Sequence, residues 1–372
     1  MGRTAGLSVF FAFRDSSERR AALVHPPGGP ERYRLSGLDE LVRRGARARH
    51  NLERPGPPPP WSRAVSGVLN GLLYRAGGYG GDFASVLASL RRVNAADVVF
   101  STVDTVGIPL VLLRRAGLVR PPIVYAAIGL PERLVQLRGR RMRRLYANAL
   151  RGAHTIVAYA ESEADWLRSW LAPDAPPVVF VPFGVDAVAF RPEPGREPEV
   201  DVVSIGADPR RDFELLEAVA SRQSELTFRI VASAERARSL VALPANVSVE
   251  TDIPLEQVRD RLAAARVVAL PVLDNSYSGA TTVLLQAMAM AKPVVVSRTD
   301  AIARGYELED GVNCRLVPPG DAEALERAVV ELLADAGAAV TLGTRARETI
   351  ERSFSWERYT DALWRILSGV TR

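Results

Sequence analysis

Short apolar runs of four to six residues alternate along this chain with stretches whose apolar positions recur every three to four residues. The first series of runs is LSVFFAF, ADVVFSTVD, PPIVYAAIG and HTIVAYAES, each followed by a polar or glycine-containing turn and a helical stretch such as SEADWLRSWL. The second is EVDVVSIGAD, LTFRIVAS, VSVETDI, ARVVALPVL, KPVVVSR and CRLVPPGD. Strands that alternate with helices in this way predict α/β layers with doubly wound parallel sheets, here two of them. Between the series, VPFGVDAVAFRPEPGREPEV has no helical periodicity and is rich in proline, glycine and charge, which places a hinge near residues 183–198. The segment ERPGPPPPWSR, with prolines from Pro57 to Pro60, predicts an exposed loop. In FSWERYTDALWRIL, Trp356, Tyr359, Leu363 and Leu367 share one helical face and read as packing anchors.

Composition narrows the function classes. A chain of 372 residues, 47% hydrophobic and 24% charged, is globular and too long for one comfortable core. No apolar run approaches the roughly 20 residues of a membrane span. The start, MGRTAGLSVFFAFRDSS, reads as a first strand rather than a leader, so a cytoplasmic location is expected. Cys314 is the only cysteine, and no Cys or His pair has metal-ligand spacing, which argues against a disulfide, a structural zinc or a thiol relay. Cys314 itself reads as a small buried residue. The net charge of +5 is uneven: residues 1–184 hold 26 arginines against 14 acids, and Lys292 is the one lysine of the chain. The run RLVQLRGRRMRRLYANALR holds seven arginines from Arg133 to Arg151; it reads as a solvated basic helix or as a peripheral contact with an anionic membrane or a phosphorylated acceptor. Basic charge without interleaved aromatics or a known module argues against a nucleic-acid partner.

The segment richest in candidate chemistry is VVALPVLDNSYSGATTVLLQAMAMAKPVVVS, residues 267–297. A strand ending at Pro271 leads through a polar loop into a helix expected to begin near Gly279 or Ala280. Free backbone N–H groups of Gly279, Ala280, Thr281 and Thr282 would then stand at a helix N-terminus, where the dipole and unsatisfied donors favour a phosphate. The span resembles the donor-binding signature of family 4, group 1 type, glycosyltransferases. That signature has two glutamates eight residues apart, followed by a stretch that QAMAMAKPVVV matches closely. Gln286 stands at the second glutamate and Ser278 at the first, so both carboxylates are absent. The resemblance implies that Ser278 faces the transferred sugar and that Gln286 holds the ribose. An amide keeps an acceptor but loses charge-assisted strength.

In VVSIGADPRRDFELLEAVA, the resemblance makes Gly206 the end of a strand and assigns Arg211, with Arg210 beside it, to the diphosphate. An arginine there could stabilise the leaving group. Arg210 and Arg211 can also be read as a solvated loop pair. Downstream, the resemblance continues through RGYELEDGVNCRLVPPGD, with Asp321 as a helix cap. It covers residues 180–370 well and the N-terminal half only in outline. It implies an α/β fold of two facing Rossmann-like domains (GT-B) with an interdomain cleft. The expected division is 1–184 for an acceptor-binding domain, 185–355 for a nucleotide-sugar-binding domain and 356–372 for a helix crossing back to the first.

On the acceptor side, Gly80, Gly81 and Asp82 form a turn before a helix and can be substrate contacts or a loop with an Asp cap. Gly129, in IVYAAIGLPERL, follows a central strand at a place where the family often has a histidine. Among His25, His50 and His154, only His25, beside a glycine pair, is kept as a catalytic candidate. The function implied is retaining, metal-independent transfer of a sugar from a nucleotide-diphosphate donor, used as co-substrate without a further cofactor. The acceptor is a hydroxyl on a small molecule or a lipid-linked one, with the small molecule favoured. A catalytically impaired nucleotide-sugar-binding or regulatory protein is the other reading, because both glutamates are missing.

Overall fold

The computed structural model describes residues 6–24, 30–275, 277 and 279–370. Its apolar runs become twelve strands. The first six are β1 (Ser8–Ala12), β2 (Arg47–His50), β3 (Val98–Ser101), β4 (Ile123–Ala127), β5 (Thr155–Ala158) and β6 (Val178–Phe180). The second six are β7 (Val200–Ile205), β8 (Phe228–Ala232), β9 (Val247–Thr251), β10 (Ala265–Leu270), β11 (Val294–Ser297) and β12 (Arg315–Val317). They pair in two sheets, ordered β2-β1-β3-β4-β5-β6 and β12-β11-β10-β7-β8-β9, and every pairing is parallel. Every residue of β3, β4, β5 and β11 is buried, as strands covered by helices on both faces require. Edge strand β2, with sequence RARH, alternates between exposed and half-buried positions, so no apolar pattern announces it.

The chain divides into two units, each with its own sheet. The first is Met1–Pro27, Glu31–Val181 and Thr360–Arg372; the second is chiefly Pro182–Tyr359. These divisions lie at 181 and 359, against the 184 and 355 read from the sequence. The core of the first unit gathers Phe10, Val99, Tyr125 and Ile156 from its sheet with Leu110, Leu150 and Leu167 from the flanking helices. That of the second gathers Val202, Phe228, Val267 and Val295 with Phe213, Leu216, Leu325 and Val329. Full burial of each such side chain stabilises by roughly 1.5–3 kcal/mol. The last helix, Trp356–Gly369, straddles the second division, and all four expected anchors, Trp356, Tyr359, Leu363 and Leu367, are buried. Within the first unit it is held by an ion pair from Arg44 to Asp361 at 2.6 Å.

Two local expectations change. Pro60 does not belong to an extended loop: it is the first residue of a helix, Pro60–Arg75, because a proline at that position lacks only an N–H that the helix could not have used. The helix after β10 starts at Thr281, with Ala280 as its cap. Cys314 is buried as expected, and burial pushes its thiol up to about 12, leaving no thiolate at neutral pH.

Candidate functional site

In the second sheet, β7 and β10 are neighbours whose connections run to opposite sides, toward β8 and toward β11. Such a reversal opens a crevice at the carboxyl ends of the two strands. The segments read as donor-binding, Gly206–Asp212 and Asp274–Thr282, both leave from there.

The two loops are joined. Arg211 pairs with Val272 as an antiparallel bridge, flanked by hydrogen bonds from Asp212 N–H to the Pro271 carbonyl (3.0 Å) and from Leu273 N–H to the Arg210 carbonyl (2.8 Å). The Asp208 carboxylate accepts from the Arg210 N–H (2.7 Å) and from the Tyr277 hydroxyl (2.7 Å). Gly279 lies against both Asp208 and Tyr277, close enough that a Cβ there would crowd them. Asp212 caps the Phe213–Arg222 helix by accepting from the Leu215 N–H at 3.0 Å. Neither Asp208 nor Tyr277 was singled out from the sequence. An aspartate two residues past a strand-end glycine is the one signal for the first, and nothing in the sequence pairs it with a tyrosine 69 residues away.

Arg211 does not stand on an open loop. It is 1% exposed, and its guanidinium lies over Gly206, where any Cβ would overlap it. One terminal nitrogen, Nη2, donates to the Ile205 carbonyl. Nε and Nη1 are buried with no hydrogen-bond partner. Burial lowers the Arg211 pKa to about 10, opposed by the Asp208 charge, so the group remains cationic at neutral pH. A buried cation with two unmet donors is costly unless an anion completes it. The solvated loop pair read as an alternative therefore fails for Arg211, whereas Arg210 is half-buried.

The Thr281–Ala289 helix has no side-chain cap, and the Thr281 hydroxyl is buried without a partner. Its first-turn N–H groups have no intrahelical acceptor. Gly279 must be removed from the expected donor set, because its N–H is committed to the Tyr277 carbonyl at 2.9 Å. Ala280, Thr281 and Thr282 remain in it. Gln286 is buried in the second turn of this helix. Ser278 lies outside the described residues.

In the first unit, Gly80 and Gly81 pack against Asn70, and a Cβ on Gly81 would strike the Thr105 carbonyl. Asp82 caps the following helix through the Ser85 N–H at 2.9 Å. Local structure thus accounts for all three. Gly129 has φ +68° and begins a turn whose Leu130 N–H is held by the buried Glu163 carboxylate at 3.1 Å. Beneath it, Asp104 is buried and accepts from the Tyr125 hydroxyl at 2.8 Å. Burial pushes its carboxyl up to about 7 against the lowering effects of that hydrogen bond and of Arg133. His25 lies outside the described residues; His50 caps a short turn and His154 touches its neighbour Thr155. No group of three or more metal-ligating side chains occurs among the described residues.

With two parallel sheets and a switch point of this kind, the fold is that of GT-B glycosyltransferases. Sucrose-phosphate synthase from Thermosynechococcus elongatus superposes with a TM-score of 0.74 at 18% identity, covering 98% of each chain. Anabaena HepE in complex with UDP-glucose does so at 0.68 and 16%, covering 97% of this chain and 99% of that one. Residues 210–335, which carry most of the site, match the family model of group 1 glycosyl transferases. The resemblance read from QAMAMAKPVVV is borne out at that level. In sequence, the chain is 27% identical over 164 residues to the lipopolysaccharide core biosynthesis glycosyltransferase LpsE of Rhizobium meliloti, covering 43% of this chain. It is 27% identical over 248 residues to the D-inositol 3-phosphate glycosyltransferase of Kineococcus radiotolerans, covering 56%. The alignments span about half the length of these relatives, 47% and 56%.

Proposed function

We propose that the chain transfers a glycosyl group, with retention, from a nucleoside diphosphate sugar to a hydroxyl acceptor on a small or lipid-linked molecule. The observation that carries this reading is the buried Arg211 guanidinium with two unmet N–H donors beside an uncapped helix N-terminus. A diphosphate seated between them would satisfy Arg211 and accept from the Ala280, Thr281 and Thr282 N–H groups. Gln286 would hydrogen-bond the ribose hydroxyls through its amide. Charge that develops on the leaving phosphate is stabilised by donors already in place, so no divalent metal is invoked. As the bond from the anomeric carbon to the phosphate oxygen breaks, the acceptor oxygen bonds to that carbon on the same face. Its proton passes to the departing phosphate, and no protein nucleophile is needed. The proposed setting is cytoplasmic. The names of the aligned relatives support sugar transfer in envelope or inositol chemistry, and the complex of HepE makes UDP-glucose the first donor to try.

A second reading is favoured by Gln286 in place of a carboxylate: a protein that binds the donor without turning it over. Both are tested by titrating the chain calorimetrically with UDP-, GDP-, ADP- and dTDP-sugars and by following nucleoside diphosphate release with and without hydroxyl acceptors. Turnover of one donor, reduced about 100-fold or more in Arg211→Ala, supports transfer. Saturable binding without turnover supports the second reading, and no binding by any donor contradicts both.

A further inference from the structure

The Pro60–Arg75 helix keeps a row of large apolar residues outside its packed face. Its inward positions combine small polar residues with two leucines. Ser62 and Ser66 are buried, and the Asn70 amide both donates to the Gly81 carbonyl and accepts from the Gly81 N–H, each at 3.0 Å. Leu69 and Leu73, on the same face as Ser62 and Ser66, reach the core of the unit. A separate face, about a third of the way round the helix, carries Trp61, Val65, Val68 and Leu72, which are 42–63% exposed. Their spacing of four, three and four makes one stripe about 16 Å long. Large exposed apolar stripes of this kind mark a surface that something covers.

What adjoins the stripe indicates the partner. At the end of the helix, the Gly77 carbonyl accepts from the Arg138 N–H at 2.8 Å, and Gly78 lies against Met142 and Tyr146. The stripe therefore runs toward the start of the Gly139–Arg151 helix, which exposes Arg140, Arg141, Arg143 and Arg144. None of these four, nor Arg75 or Arg138, forms an ion pair with a described residue. Elsewhere on the same unit some arginines are paired, as in Arg20–Asp15, Arg49–Glu53 and Arg168–Asp165, and others, such as Arg63, Arg91 and Arg115, are not; what sets this helix apart is four unpaired arginines within the five positions 140–144. Unneutralised arginines beside an apolar stripe headed by a tryptophan suit a surface with anionic phosphates above hydrocarbon. A nucleic acid would use the arginines but leave the stripe wet. A second copy would bring two arginine clusters together. No helix among the described residues is long and apolar enough to cross a membrane.

We propose that this face of the first unit docks on an anionic lipid bilayer, with the Trp61–Leu72 stripe in the headgroup boundary and the arginines on the lipid phosphates. The inference does not depend on sugar transfer, because its readout is binding. The test is co-sedimentation of the full chain with vesicles of phosphatidylcholine alone and with phosphatidylglycerol added. Binding is expected only to the anionic vesicles, weakening with salt. Each arginine near the surface contributes roughly fivefold, so Arg140→Glu, Arg141→Glu, Arg143→Glu and Arg144→Glu together should lower partitioning by about 100-fold or more. Val68→Asp with Leu72→Asp should lower it by about tenfold, without changing circular dichroism or the melting temperature, because both side chains are exposed. A readout free of disruptive variants is quenching of tryptophan fluorescence by brominated anionic lipid, expected in the parent chain and reduced in Trp61→Phe. Lack of binding to anionic vesicles would overturn the proposal, as would binding unaffected by the two aspartates. A dimer that the aspartates dissociate, with no vesicle binding, would assign the stripe to a second copy instead.

Discussion

Arg211 carries a charge that no described carboxylate pairs with, in a place where water cannot screen it. Gly206→Ala should push the guanidinium aside, because the new Cβ would occupy its space, and should cost donor affinity about as much as Arg211→Ala while the unit stays folded. Calorimetric titration of both variants checks this; an unchanged affinity in Gly206→Ala would mean that the arginine is not the anion contact. In the first unit, Asp104 has a pKa raised by burial from 3.8 to about 7. Between those values the folded state keeps a proton that the unfolded state releases, so unfolding free energy should fall as pH rises through that window. Asp104→Asn should remove a change on the order of 4 kcal/mol, read from denaturant melts at pH 4 and pH 7.5. An equal slope in the variant would assign it to other groups. The arginine at 211 was read from the resemblance as a candidate for the diphosphate. Its burial was not, because it results from packing over Gly206 and from the bridge to Val272, both of which are tertiary.

At the level of elements, the candidate site joins two loops by a backbone bridge and by one side-chain pair, Asp208 with Tyr277. Tyr277→Phe deletes the hydrogen bond to Asp208 and nothing of the ring. A bond to a charged acceptor contributes about 1.5–3 kcal/mol in favourable cases, and less where water can replace it. We expect donor affinity to fall about three- to tenfold, with thermal stability shifted little; a large loss of stability with intact affinity would make the pair a fold contact only. Strand and helix periodicities were readable wherever an element is buried on a regular face, as with β3, β4 and β10. They failed at β2, whose RARH pattern is set by its place at a sheet edge, and at the Pro60–Arg75 helix. The apolar spacing of that helix is visible in Trp61, Val65, Val68 and Leu72, but periodicity does not say which face turns inward.

For the whole molecule, the two alternating series were sufficient to read two parallel doubly wound sheets, because each apolar run is long enough for a buried strand and each connection long enough for a crossover helix. Strand order was not legible, since it depends on which way each crossover turns. It is the order β7 next to β10 that brings Arg211 and the Thr281 helix to one crevice. The basic excess of residues 1–184 was legible as a number, and the places of its exposed arginines only as positions along the chain. The central claim, a nucleoside diphosphate site at that crevice, is tested most directly by calorimetric titration of the chain with a panel of nucleoside diphosphates, repeated on Arg211→Gln. The account predicts saturable binding of one of them to the parent chain, weakened about 100-fold in the variant. Absence of binding across the panel, or equal binding to the two proteins, would contradict it.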